Sequence, residues 1–162
     1  MAEVKVNLSN LTNWTPRQQV AWMSMLENKY TLFGGARFGG KSFWLRWALI
    51  SWLILQGMRG NKHVQVGLFC KTYAEMEDRH IPKFSQMPEW LGTFSDSQVY
   101  GLSFRLAEQY GGGIIMLRNL DKGADRYKSA EFAAVAIDEL TEFEADQFLI
   151  LIGSLRWVGI DH

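Results

Sequence analysis

Cysteine is nearly missing from this chain. Cys70 stands alone among 162 residues, which excludes a disulfide framework and offers no cysteine-based metal site. Placed in the apolar run Val64–Cys70, it reads as a buried structural thiol. An excess of either charge is also lacking, because seventeen Lys and Arg offset seventeen Asp and Glu. A global positive field of the kind that advertises nucleic-acid binding is thereby excluded, and any such surface has to be local. No apolar run is long enough to cross a bilayer: Phe43–Leu55 falls short of the roughly 20 residues a span needs and contains Arg46. The start of the chain, where Glu3, Lys5 and Asn7 alternate with Val4, Val6 and Leu8, has no secretory apolar region. A cytoplasmic protein without a membrane partner is expected. There is no internal repeat and no low-complexity segment.

Apolar and aromatic side chains are what the sequence has in quantity. With 48% apolar residues, a chain of this length can bury one substantial core, so a single domain over 1–162 is expected. Trp44, Trp47 and Trp52, three of seven tryptophans, fall in or beside the most apolar segment, where aromatic packing is favoured over base stacking.

After an irregular or short extended start, Thr15-Pro16 opens a helix running to about Asn28, with Thr15 as N-cap and Pro16 at its first position. Tyr30–Phe33 reads as a short parallel core strand stopped by Gly34-Gly35. Ser42 to about Gln56 is predicted helical with Gly57 near its end, and His63–Cys70 is a second strand, making a βαβ unit. Thr72–Phe84 reads as helix up to Pro82, and Met87–Ser97 as loop with partial helix. Val99–Leu106 and Ile114–Leu117, joined through Gly111–Gly113, form an antiparallel hairpin. Asn119–Tyr127 is turn-like, Phe132–Ile137 a strand and Glu142–Ile152 a helix. This order predicts a three-layer α/β domain with a mostly parallel central sheet plus one hairpin, with ligands at the carboxyl ends of the strands.

The chemistry begins at Gly35-Ala36-Arg37-Phe38-Gly39-Gly40-Lys41-Ser42, which matches G-x-x-x-x-G-K-[ST] without departure between a predicted strand and a predicted helix. Glycines let consecutive backbone N–H groups face phosphate oxygens, and a helix beginning near Lys41 adds partial positive charge. Lys41 is placed for β- and γ-phosphates, and Ser42 brings a hydroxyl to Mg²⁺. Arg37 either contacts the γ-phosphate or projects into solvent.

The second motif is Phe132–Glu139, an apolar strand that delivers two carboxylates to the sheet edge and points them differently by its pleat. Asp138 would bind Mg²⁺ through its water shell. Glu139 is placed to orient and deprotonate the attacking water, which favours ATP hydrolysis over phosphoryl transfer to another substrate. His63, His80 and His162 share no metal-ligand spacing, so surface or core roles are expected of them.

Taken together, Thr15-Pro16-Arg17-Gln18, Gly34–Ser42, Ala136–Glu139 and the lead-in Arg126–Phe132 resemble the N-terminal ATPase domain of the large terminase subunit of tailed bacteriophages. That resemblance implies a RecA/ASCE-like P-loop fold and an ATP- and Mg²⁺-dependent motor that packages double-stranded DNA. It implies Gln18 as adenine reader, for which an amide has both donor and acceptor, and Arg37 as a catalytic residue beside Lys41 and Glu139. It further implies a portal protein, a small terminase subunit and a homo-oligomeric ring as partners, at the procapsid portal in the host cytoplasm. The family's coupling strand is not visible in the 162 − 139 = 23 residues after the acidic pair, and no nuclease domain is present, so a truncated ATPase piece is expected.

Local basic candidates for DNA phosphates are Arg59, Lys62, His63, Arg118, Lys122, Arg126 and Lys128. Arg156 is read as a solvated or DNA-facing arginine ahead of the alternative, a finger for a neighbour's site. Two other readings stand beside the packaging motor: a helicase or recombinase-like ATPase, and a nucleotide-binding module that turns over poorly when isolated.

Overall fold

The computed structural model describes residues 12–35 and 40–160. The expected irregular start, the loop residues Ala36, Arg37, Phe38 and Gly39, and His162 lie outside the described residues. Helix α1 (Pro16–Glu27) is capped as its sequence dictates: the Thr15 hydroxyl accepts from the Gln18 backbone N–H, and the Gln18 side chain accepts in return from Thr15. Helix α2 (Lys41–Met58) starts at Gly40, whose φ of +67° is the left-handed conformation that glycine tolerates best.

Strand β1 (Gln65–Cys70) is a buried inner strand of the sheet and is followed by two short helices, α3 (Tyr73–Arg79) and α4 (Ile81–Ser85). Then come β2 (Gly92–Ser97), β3 (Gly101–Leu106), β4 (Ile114–Asn119) and β5 (Ala134–Ile137), and α5 (Ala145–Gly153) follows the acidic pair. The five strands form one sheet in the order β2-β3-β4-β1-β5.

The expected mostly parallel, RecA/ASCE-like sheet is not what forms. β1 runs parallel to β4 and β5, whereas β3 runs antiparallel to β2 and β4, so the sheet is evenly mixed. Two misread segments account for the difference. Gly92–Ser97, expected as loop, is an edge strand: its Gly, Thr, Ser and Asp suit a position exposed along much of its length, while Phe94 lies opposite Phe104. Tyr30–Phe33, expected as the first parallel strand, makes no ladder. Tyr30 and Leu32 are exposed, and Phe33 instead packs on Trp44 with ring centroids 4.9 Å apart. The βαβ unit therefore lacks its first strand. The β3–β4 hairpin stands as expected.

Side chains along β1 alternate between two cores, as a pleated strand requires. Val66 and Leu68 join Leu49, Ile50 and Leu53 of α2 in one. Phe69 joins Tyr127, Phe132 and Leu151 of α5 in the other, where its ring meets Tyr127 and Phe132 edge-on at 5.0 and 5.8 Å. A third cluster joins Ala21 of α1 to Trp44 and Ala48 of α2. Trp44 is thus a packing residue, and its indole N–H donates to the Gln18 carbonyl. Among the described residues no helix is long and apolar enough to cross a membrane.

The far end of α2 is fitted against the β3–β4 connection. A Cβ on Gly57 would lie 2.5 Å from the Tyr110 carbonyl oxygen and 3.0 Å from Gly111 Cα, both backbone atoms. Gly57→Ala is therefore expected to destabilise the fold by about 1–3 kcal/mol from overpacking, although alanine is favoured over glycine by about 1 kcal/mol in an unhindered helix. Urea unfolding midpoints of the two chains check this; equal or greater stability of the variant would show that the contact yields.

Candidate phosphate and metal site

The two sequence motifs, 96 residues apart, meet at one hydrogen bond: Ser42 Oγ donates to Asp138 Oδ2 at 2.9 Å. Ser42 is held by the first turn of α2, and Asp138 by the end of β5, where its backbone N–H donates to the Phe69 carbonyl. The same first turn places Lys41, whose Nζ donates to the Gly35 carbonyl at 3.1 Å and stands 3.8 Å from Glu139 Oε1. Glu139 arrives there through a left-handed turn, φ +52° and ψ +58°, that ends β5 and opens a short 3₁₀ segment. A non-glycine residue in this conformation carries strain of about 1–3 kcal/mol, a feature that concentrates at functional sites. The two carboxylates thus diverge: Asp138 is 3% exposed, while the Glu139 side chain is 36% exposed.

On the other flank, α1 holds both ends of the glycine-rich motif. Arg17 donates to the Gly34 carbonyl at 2.9 Å, and Gln18 Nε2 donates to the Gly40 carbonyl at 3.3 Å. Gln18 is buried, and both ends of its amide are in use within the chain, as N-cap partner and loop clamp. Reading adenine would require it to exchange one of these bonds.

Behind Asp138 lies a group that sequence spacing did not disclose. His80 Nε2 is 3.0 Å from Asp138 Oδ2, and His80 Nδ1 is 3.3 Å from Arg46 NH1. Arg46, inside α2, also donates to the Arg79 carbonyl. His80 is 0% exposed and Arg46 6%. Arg79 NH1 stands 3.8 Å from Asp138 and has no hydrogen-bond partner, although Arg79 pairs with Glu75 on its own helix. The expected core role of His80 is correct for its burial but omits its partner.

Burial pushes the Asp138 carboxyl up, but hydrogen bonds from His80 and Ser42 and the charge of Arg79 outweigh it and hold the group below its ordinary 3.8. His80 is pushed below its ordinary 6.5, chiefly by burial, against the pull of Asp138. We take His80 as neutral and Asp138 as ionised. Cys70, close by, has its thiol pushed up to about 12, first by burial and then by Asp138.

The donors fit a hard cation and a phosphate chain. A hydroxyl and an ionised carboxylate are the oxygen ligands that Mg²⁺ prefers, and the first turn of α2 leaves N–H groups without intrahelical partners beside the Lys41 ammonium. Elsewhere, several basic candidates are already occupied. The Arg118 guanidinium donates to the Tyr100, Leu102 and Leu117 carbonyls, Lys128 pairs with Asp125, and Arg156 donates to the Lys128 and Ala130 carbonyls. Lys122 and Arg126 line an open groove of about 600 Å³ with Tyr73, Tyr100 and Tyr127.

These shifts set a sign for acid stability. An unfolded chain takes up a proton on His80 near pH 6.5, whereas the folded chain, with Arg46 and Arg79 also facing the ring, resists it. Stability is therefore expected to fall on acidification below 6.5, by at most about 1.4 kcal/mol per pH unit. Asp138 acts in the same direction lower down, its contribution being lost as pH falls below 3.8. Urea midpoints between pH 7.5 and 5.5 test the upper window: His80→Gln should flatten the slope, and an unchanged slope would place the titration elsewhere.

Compared with models of known protein families, with curated proteins and with solved structures, the chain matches none.

Proposed function

We propose that the chain binds Mg-ATP and hydrolyses it to ADP and inorganic phosphate. The Ser42–Asp138 hydrogen bond carries this reading, because it joins the hydroxyl that closes the phosphate-loop motif to the first carboxylate of the acidic strand. Ser42 and Asp138 would hold the metal, which supplies charge neutralisation for the phosphate oxygens when bound. By donating its proton to Asp138, Ser42 turns its oxygen lone pairs outward as a ligand. Lys41 contributes a positive charge at the phosphates.

Glu139 is the base. It accepts a proton from the water that attacks the terminal phosphoryl group, as the new O–P bond forms and the bond to the β-phosphate oxygen breaks. Its 3.8 Å pairing with Lys41 is half-exposed and therefore weak, so an arriving polyphosphate can take Lys41 over and release the carboxylate. Its side chain is 36% exposed against 4% for Asp138, which sets the base apart from the metal ligand.

The resemblance of Thr15–Gln18, Gly34–Ser42, Arg126–Phe132 and Ala136–Glu139 to the terminase ATPase extends the proposal to coupling hydrolysis with movement of double-stranded DNA during phage packaging. Lys122 and Arg126, which line the open groove, are candidates for sequence-independent phosphate contact.

Steady-state hydrolysis with Mg²⁺ tests the roles. Glu139→Gln is expected to lower kcat by about 10²-fold or more while nucleotide affinity is kept, and Lys41→Ala to lose affinity as well. Stimulation by double-stranded DNA, reduced in Lys122→Ala/Arg126→Ala, would support the motor. Binding without turnover above the Glu139→Gln background would reduce the chain to a nucleotide-binding module. Gln18→Ala is expected to narrow the preference for ATP over GTP if the amide reads adenine; an unchanged preference with weaker binding of both would leave it only the loop clamp.

A further inference from the structure

The hydrogen-bond chain behind Asp138 has a direction. A guanidinium can only donate, so His80 Nδ1 accepts from Arg46, and the ring proton is left on Nε2, where it faces an ionised carboxylate that can only accept. Three elements meet there: Arg46 from α2, His80 from the α3–α4 junction and Asp138 from the end of β5. Both close bonds to the carboxylate, from His80 and Ser42, fall on Oδ2. Oδ1 takes part in neither.

We propose that His80, its proton placed by Arg46, is a positioning residue for the metal-binding carboxylate, fixing Oδ2 so that Oδ1 is offered to the water shell of a divalent cation. The proposal rests on the Mg-ATP reading. A partner of this kind orients a ligand that would otherwise rotate, and its loss costs metal affinity about 10–100-fold where such partners have been removed. Buried at the junction of three elements, the ring also ties the carboxylate to α2, the helix that carries Lys41 and Ser42.

Cys70 Sγ, His80 and Asp138 lie within 4.8 Å of one another, a spacing that could hold a transition metal. Their chemistry opposes it. The lone pair at His80 Nδ1 is taken by Arg46, its Nε2 carries the proton that faces Asp138, and the Arg79 guanidinium stands 3.8 Å from the carboxylate.

The test compares the parent chain with His80→Leu and His80→Gln. Glutamine keeps the polarity, with an amide N–H for Asp138 and a carbonyl for Arg46. Fluorescent ATP-analogue binding is titrated with and without Mg²⁺. His80→Leu is expected to bind the analogue as the parent does without metal but to need about tenfold more Mg²⁺ for the metal-dependent gain, and His80→Gln to stay within about threefold of the parent. A folded His80→Leu chain with unchanged Mg²⁺ requirement would overturn the proposal and leave the ATP reading standing; a parent that shows no Mg-dependent binding would overturn both. Imidazole ¹⁵N spectra of the parent at pH 7.5 need no variant. The neutral Nε2–H tautomer is expected, and the Nδ1–H tautomer or a cationic ring would overturn the assignment. Titration with Co²⁺ decides the remaining alternative: a thiolate-to-cobalt charge-transfer band would assign the trio to a transition metal, against the proposal.

Discussion

A carboxylate buried to 3% exposure would be costly to ionise if left alone, and the arrangement of this domain follows from how Asp138 is accommodated. It receives a hydroxyl proton from Ser42, an imidazole proton from His80 and the nearby charge of Arg79. Ser42 comes from α2 and the neighbouring Arg79 and His80 from the α3–α4 junction, so the charge can be solvated only when these two elements and β5 are packed together. α2 and the acidic strand are thereby held together in part by Ser42 and Asp138, the pair proposed to bind a metal.

Local signals in the sequence were good guides wherever the cause was local. The N-cap at Thr15 with Pro16 behind it, the helix after Gly40, the apolar runs of β1 and β5 and the glycine-rich turn before β4 are all short-range patterns, and each appears in the fold. Where the outcome depended on neighbours, the reading failed. Gly92–Ser97 has the composition of a loop and becomes a strand because β3 offers it an edge; Tyr30–Phe33 has the composition of a strand and finds none among the described residues. The parallel character of the sheet was overestimated for the same reason.

The site divides in the same way. Lys41, Ser42, Asp138 and Glu139 were legible because glycine spacing and an apolar strand ending in acids are contiguous patterns. His80 lies 58 residues from Asp138 and 34 from Arg46, with nothing periodic to connect them. One signal was present: Arg46 interrupts an otherwise apolar helix, and a buried arginine must have acceptors nearby. Asking what Arg46 donates to would have led to His80.

The backbone contact between Gly57 and Gly111 has a mechanical meaning. α2 is 18 residues long, about 27 Å at 1.5 Å per residue, with Lys41 at one extremity and this contact near the other. Two glycines meeting through their main chains leave no side chain to adjust there, so the spacing between this end of α2 and the β3–β4 connection is set by backbone atoms alone.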